Sequence, residues 1–423
     1  MYISEINIKL PEIKKDSLIE LSGFGYSREC DAGGDNLMAS MIALQLVGNR
    51  QLIICSIDTL FVDDQLSFEL SKGFESVEFM FFATHTHNAP GLYINNQNGL
   101  GVTNIIWRSA VVFEIREGIK KLLEKNKNKT ELYYAEKKVS LNINRRLKKD
   151  KLNFKSLMKG RIKFNSEVHM SPNKNGLVDK RIKLFIFGSK DSPRVILWTL
   201  AAHPAFYPKK NEISPDFPGY VRNHLLKKYG ESVVVLFLPG FAGSSIPNPI
   251  RLSDLNIKSI IKKIAPGYNY FPSFTFGGYK NWINLLIFEV DNLISTAVKI
   301  NVDKNPVCKI LKINSIFIDK IKGAVDVNVT ALKFSEKLCI VGFSGEMLSE
   351  WSKYCDDIAH GIFSGYMQGV PIYIPMHEQI IDGGYESIGF KDKFGLDGDF
   401  SLSIDSLFYM LFSKLRKIYD SKN

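Results

Sequence analysis

One pattern recurs along the chain. A run of five to seven apolar residues, mostly β-branched or aromatic, stops abruptly at a polar residue beside glycine or proline. The run 52–57 ends at Asp58, 77–83 at His85, 195–200 at His203-Pro204, 233–238 at Pro239-Gly240, and 338–343 at Gly345-Glu346. Runs of this length, bounded in this way, predict strands buried on both faces. Between them, apolar residues at helical spacing (Val111, Val112, Ile115, Ile119, Leu122) predict a helix over 107–125. A second is predicted over 218–228, with Pro218 in its first turn and Gly230 beyond its end, and a third over 401–419.

Strands alternating with helices argue for an α/β fold: a single large domain over 1–423, with a mixed, substantially parallel sheet covered by helices. In such sheets ligands gather beyond the carboxyl ends of the strands, where the polar residues above fall. Two stretches depart from the pattern. The region 132–191 has short alternating runs, many lysines and the turn signals Ser171-Pro172-Asn173 and Asn175-Gly176, which predict a hairpin-rich excursion. The region 267–290 crowds aromatic residues around Pro272, Gly277 and Gly278, which predicts an aromatic loop serving as a packed flap, a subunit contact or a substrate wall.

Composition narrows the class. With 423 residues, 45% of them hydrophobic, the chain can bury a large core, and no run of 18 apolar residues suggests a transmembrane helix. No basic-then-apolar leader opens the sequence, so the expected location is cytoplasmic. The cysteines Cys30, Cys55, Cys308, Cys339 and Cys355 form no Cys-x-x-Cys pair and read as free thiols. A net charge of +11 is spread over the chain, with clusters at 120–129 and 148–151 that lack any nucleic-acid-binding signature. Nucleic acid is therefore not the expected partner, and the basic balance suits anionic substrates or peripheral contact with an anionic surface.

The candidate chemistry lies at the strand ends. His85 and His87 are spaced by one residue and project from one face of an extended segment. His203 and Glu346 follow other strands, and all four are hard or borderline donors of the kind a catalytic zinc site uses.

These segments also carry a family resemblance. In order, the chain contains Thr84-His85-Thr86-His87, Asn144-Arg145-Arg146, Ala202-His203-Pro204, Asp216-Phe217-Pro218-Gly219, Gly240-Phe241-Ala242-Gly243, Ser344-Gly345-Glu346, and Tyr373-Ile374-Pro375 followed by Gly383-Gly384-Tyr385-Glu386. It thereby resembles the catalytic domain of the neutral/alkaline (non-lysosomal) ceramidase family from about Gly23 to Glu386. The resemblance implies one zinc ion per chain, with His85, His203, Glu346 and Tyr373 as ligands. It places His87 beside the metal, to transfer protons or orient the bound water, and Arg145 where it fixes a substrate oxygen.

Two departures shape the expected function. Where the family's ceramidases have Gly-Asp-Val-Ser-Pro with an implicated serine, this chain has Gly243-Ser244-Ser245-Ile246-Pro247. Either Ser245 substitutes by a local shift or the chemistry needs no serine. The family's C-terminal β-sandwich domain has no counterpart in the sequence. The reading is a zinc-dependent amidohydrolase cleaving an N-acyl bond of a small molecule with metal-activated water. Its alternatives are a deacetylase or acyl-group transferase acting on a sugar or other soluble metabolite, and an inactive metal- or ligand-binding member of the family.

Overall fold

The computed structural model describes residues 1–13, 19–25, 28–94, 100–152, 158, 164–248, 274–302, 305–321 and 323–420. Its centre is a ten-stranded sheet. In spatial order the strands are Gly398–Phe400, Val307–Asp319, Gly323–Ser335, Leu338–Ser344, His360–Met367, Val77–Ala83, Gln51–Ile57, Met38–Gln45, Tyr2–Lys9 and Asn128–Lys129. A five-stranded sheet lies against it, in the order Val234–Phe237, Pro193–Thr199, Arg181–Gly188, Leu132–Lys138 and Val298–Ile300.

The two sheets pack face to face. Leu52, Ile54, Met80, Phe82 and Ile340 of the larger sheet share one core with Phe185, Phe187, Val195, Leu197 and Leu236 of the smaller. The alternate residues face outward into helices. Ile53, Cys55 and Phe81 meet Trp107, Val111, Ile115 and Ile119 of the helix Ile105–Glu124. Val329, Val341 and Phe343 meet Phe408, Leu411 and Leu415 of the helix Ile404–Asp420. Leu184, Ile186 and Trp198 meet Phe217 and Val221 of the helix Asp216–Tyr229 and Trp282 and Leu286 of the helix Phe276–Thr296. Four layers result, helix–sheet–sheet–helix, and each fully buried Leu, Ile or Phe in them contributes roughly 1.5–3 kcal/mol.

This layering corrects one expectation about the sheets. The α/β class and the mixed sheets are as anticipated, but the parallel share is small. Gln51–Ile57 with Val77–Ala83 and Leu338–Ser344 with His360–Met367 are the parallel neighbours of the larger sheet, and its other described neighbours run antiparallel. Continuous apolar runs here reflect a second sheet on the inner face, not helices on both faces of a parallel sheet.

The two unusual regions also differ from expectation. In 132–191, Asn142–Leu152 and Phe164–Asn173 form a hairpin, with Ser245–Pro247 as a third strand. The flanking Leu132–Lys138 and Arg181–Gly188, however, are interior strands of the five-stranded sheet, with Leu132, Leu184 and Ile186 buried. The aromatic loop expected over 267–290 is, from Phe276 onward, a helix. The Thr275 hydroxyl caps it by accepting from Gly278 N, and Tyr279, Trp282, Ile283, Leu286 and Val290 fall on its buried face at helical spacing. They therefore fill a core and do not wall a substrate site; residues 267–273 lie outside the described residues.

Candidate metal centre

His85 sits two residues past the strand Val77–Ala83, where the parallel ladder continues through Thr84 N–H to the Ile57 carbonyl and His85 N–H to the Thr59 carbonyl, 2.8 and 3.0 Å. Its φ of 63° is left-handed, a strained conformation for a non-glycine residue that persists only where surrounding bonds enforce it. The turn aims the imidazole inward, and His87 N–H donates to the Pro204 carbonyl at 3.0 Å, which ties this segment to the one carrying His203. His203 follows the strand Pro193–Thr199 of the smaller sheet, with its N–H on the Ser245 carbonyl at 3.1 Å. The loop beyond it is held by Asp216, whose carboxylate accepts from Phe206 N at 3.0 Å, Tyr207 N at 3.1 Å and the Tyr279 hydroxyl.

Glu346 follows Leu338–Ser344 and is placed by a short parallel bridge in which Glu346 lies opposite Tyr373. Gly345 makes the bridge possible. Its φ is 85°, and a Cβ there would come within 2.9 Å of the Ile372 carbonyl oxygen.

The sequence-derived ligands His85, His203 and Glu346 converge. His85 Nε2 is 3.0 Å from His203 Nε2 and 3.4 Å from Glu346 Oε2, and His203 Nε2 is 3.8 Å from the same carboxylate oxygen. His87 joins them, its Nε2 3.4 Å from His85 Nε2. The ligand atoms of the three histidines all lie within 4.8 Å of one another. Arg145 and Tyr373 stand at the margin, with Arg145 Nη2 donating to the Tyr373 hydroxyl at 3.2 Å and Tyr373 hydrogen-bonded in turn to Glu346.

The tautomers follow from the partners. His85 Nδ1 is 2.8 Å from the Leu60 carbonyl and His203 Nδ1 is 3.3 Å from that of Ala242. A carbonyl can only accept, so both Nδ1 atoms carry the proton and both Nε2 atoms present lone pairs. Two lone pairs facing each other at 3.0 Å, with a carboxylate oxygen beside them, repel unless a cation sits among them. Burial strengthens the demand. It pushes the His85 imidazolium down to about 3 and holds those of His87 and His203 well below the ordinary range. The same burial raises the Glu346 carboxyl to about 8, offset in part by Arg145 and the hydroxyls of Tyr373 and Tyr366. Neutral imidazoles and an under-compensated carboxyl suit a divalent ion; among the described residues these donors are nitrogen and oxygen only.

Ser245 is placed differently. Its buried hydroxyl donates to the Ala201 carbonyl at 2.6 Å, so Ser245 meets the centre through its backbone carbonyl, which accepts from His203 N. Ile246, in the position of the family's serine, packs in the core with Trp282 and Phe237. Ser244 instead donates to Glu350 at 2.7 Å and accepts from Ser349 N at 2.9 Å.

Two neighbours of the centre escape a ligand search of the sequence. Tyr366, at a φ of 61°, sets its ring 4.3 Å from that of His85 and its hydroxyl 3.4 Å from Glu346 Oε2. Glu386 accepts from Arg145 Nε at 2.8 Å and from Arg146 Nη1 at 2.7 Å. Burial alone would raise the Glu386 carboxyl, yet the two guanidinium groups outweigh it and hold it below the usual range. The adjacent arginines 145 and 146, together with Glu386 in the family-like segment Gly383-Gly384-Tyr385-Glu386, are the sequence signals for this pairing.

No family model matches this chain, and no curated protein sequence does. Solved structures do. The neutral ceramidase from Pseudomonas aeruginosa superposes with a TM-score of 0.65 at 14% identity, covering 99% of this chain and 74% of that one. A ceramidase complexed with C2 superposes with a TM-score of 0.70 at 13% identity, covering 99% and 75%. At such identities the likeness establishes the fold: this chain has the fold of the neutral ceramidases.

Proposed function

We propose that this chain is a metal-dependent amidohydrolase, with zinc as the metal and an N-acyl bond of a small molecule as the target. The observation that carries the proposal is the convergence of two proton-free Nε2 atoms and a buried carboxylate, on a fold shared with enzymes named as ceramidases. His85, His203 and Glu346 would hold the ion, with Tyr373 at its edge. A bound zinc ion lowers the pKa of water to roughly 7 and polarises a carbonyl oxygen.

The chain's own residues supply the rest. Arg145, fixed by Glu386, and the Tyr373 hydroxyl form a donor pair for the substrate oxygen as it gains negative charge. His87, neutral and the least buried of the three imidazoles, takes the proton from the attacking water and returns it to the leaving nitrogen. One C–O bond forms, the C–N bond breaks, and the proton ends on the amine. Water is the favoured nucleophile, because Ser245 is engaged with the Ala201 carbonyl and Ile246 has no hydroxyl to offer.

No helix among the described residues is long and apolar enough to cross a membrane, and all five cysteines are unbridged. A cytoplasmic site of action is part of the proposal and rests on those free thiols. The test is metal analysis of the purified protein, with amine release measured from N-acyl substrates graded by acyl length. The expected result is about one zinc per chain, lost together with activity in Glu346→Ala. A protein without metal, indifferent to that substitution, would sink the reading.

A further inference from the structure

We infer that the substrate carries an anionic group on its amine portion, received by Lys210 and Lys393 on either side of Phe24. The inference rests on the amidohydrolase reading above and narrows its substrate class.

Exposure shows from which side the centre is reached. His85, His203, Glu346, Arg145 and Tyr373 are each at most 3% exposed, whereas His87 is half-buried. A substrate amide therefore meets these groups across the His87 ring. In the proposed reaction His87 returns a proton to the leaving nitrogen, so the amine portion lies over that ring, with the carbonyl oxygen toward Arg145 and Tyr373.

The segment Gly23-Phe24-Gly25 runs over His87, all three residues at positive φ, 89°, 62° and 72°. Phe24 keeps this strained conformation because its surroundings enforce it. Arg28 donates to the Ser22 carbonyl at 2.7 Å and to those of His87 and Lys210, and its guanidinium stacks 4.6 Å from the Phe24 ring centre. The same ring rests against His87, with centroids 4.8 Å apart. Lys210 Nζ lies 4.7 Å from the ring centre. The Lys393 stem crosses the bare α-carbon of the next residue, Gly25, where a Cβ would stand 3.1 Å from its Cδ and Cε.

Neither ammonium has a counter-ion among the described residues. Lys210 donates to the Ala205 carbonyl at 3.0 Å. The carboxylate whose charge it feels, Asp216, is already held by Phe206 N, Tyr207 N and the Tyr279 hydroxyl. Burial lowers the Lys210 ammonium to about 8, the mark of a charge drawn from water without a full partner. A neutral amine portion leaves that demand unmet, whereas a carboxylate or phosphate answers it.

Three conjugates of one acyl group test this on the zinc-loaded chain: N-hexanoylglycine, N-hexanoylethanolamine and the phosphate ester of the latter. The two anions separate a carboxylate from a phosphate. At least one should exceed the neutral conjugate in kcat/KM by about 10–100-fold, the scale of a hydrogen bond to a charged group, and the advantage should shrink as salt is added. Lys210→Met should remove most of that advantage through KM, and Lys210→Arg should restore it. Lys393→Met, at an exposed position, should remove a smaller part. Equal kcat/KM for the three conjugates overturns the inference, leaves the hydrolase reading intact and needs no variant to fold. An anion preference that survives Lys210→Met and Lys393→Met combined also overturns it. A chain that releases amine from no N-acyl conjugate overturns both readings.

Discussion

On one side of the centre stand three neutral imidazoles and a carboxyl group held near its protonated form; on the other stand two guanidinium groups already neutralising Glu386. Both sides are buried, yet burial acts on them oppositely. On the histidine side it strips charge from every member, leaving lone pairs without a partner. On the arginine side each charge has an opposite within hydrogen-bond distance, so the network stays ionised without help. In the proposed enzyme the first side is completed by an ion from outside, whereas the second is complete when the chain folds. A site assembled this way separates binding of the ion from orientation of the substrate oxygen, and single substitutions should separate them too.

The largest effect should come from the histidine side. His203→Ala removes a donor outright, so zinc affinity should drop by more than the roughly 10–100-fold typical of groups behind the ligands, and amide hydrolysis should disappear. Isothermal titration with zinc, alongside amine release, checks both. Next comes the arginine side. Glu386→Gln leaves Arg145 and Arg146 without their shared anion, which should cost about 3–5 kcal/mol of stability in denaturant unfolding. Turnover should fall on the order of 100-fold, the scale of losing an oriented oxyanion donor. Zinc affinity should move only a few-fold. If Glu386→Gln loses zinc as completely as His203→Ala does, the division between the two sides is wrong.

A pH series separates them without mutation. In the metal-free chain the Glu346 carboxyl is raised from 4.5 to about 8, so its contribution is fully present below 4.5 and is lost as pH rises through 8. His85, depressed from 6.5 to about 3, contributes stability above 6.5 that is lost as pH falls toward 3. Zinc offsets the first loss and competes with protons in the second range, so its effect on the melting temperature should be larger at pH 8 than at pH 5. Equal shifts at the two values would mean that Glu346 does not face the ion. The smallest effect is expected from Ser245→Ala: about 1 kcal/mol for the lost bond to the Ala201 carbonyl, with zinc retained and turnover within a few-fold. Abolished turnover with zinc in place would instead make Ser245 the nucleophile.

The strand ends were readable because burial on both faces admits a polar residue only where a strand stops. That logic places His85, His203 and Glu346 near one another before any coordinates. It does not carry strand direction, since Ile53 facing a helix and Ile54 facing a sheet look alike in one dimension. The helix Phe276–Thr296 was obscured by Gly277 and Gly278, which read as a loop until Thr275 is seen to cap them. Tyr366 was hidden for another reason. Its place beside His85 depends on a left-handed turn late in the strand His360–Met367, and a tyrosine gives no warning of that conformation. Glu386 gains meaning only through the two arginines that reach it from Asn142–Leu152, more than 200 residues earlier.

His85 and Glu346 extend from strands of the ten-stranded sheet, and His203 from a strand of the five-stranded one. An ion held by all three would therefore clasp the sandwich at one rim, joining layers that are also held by side-chain packing and by hydrogen bonds such as that from the Ser56 hydroxyl to the Phe237 carbonyl. Hydrogen–deuterium exchange should register this as slower opening at the ends of both sheets together, so that loading the centre turns two separately fraying edges into one mechanical unit.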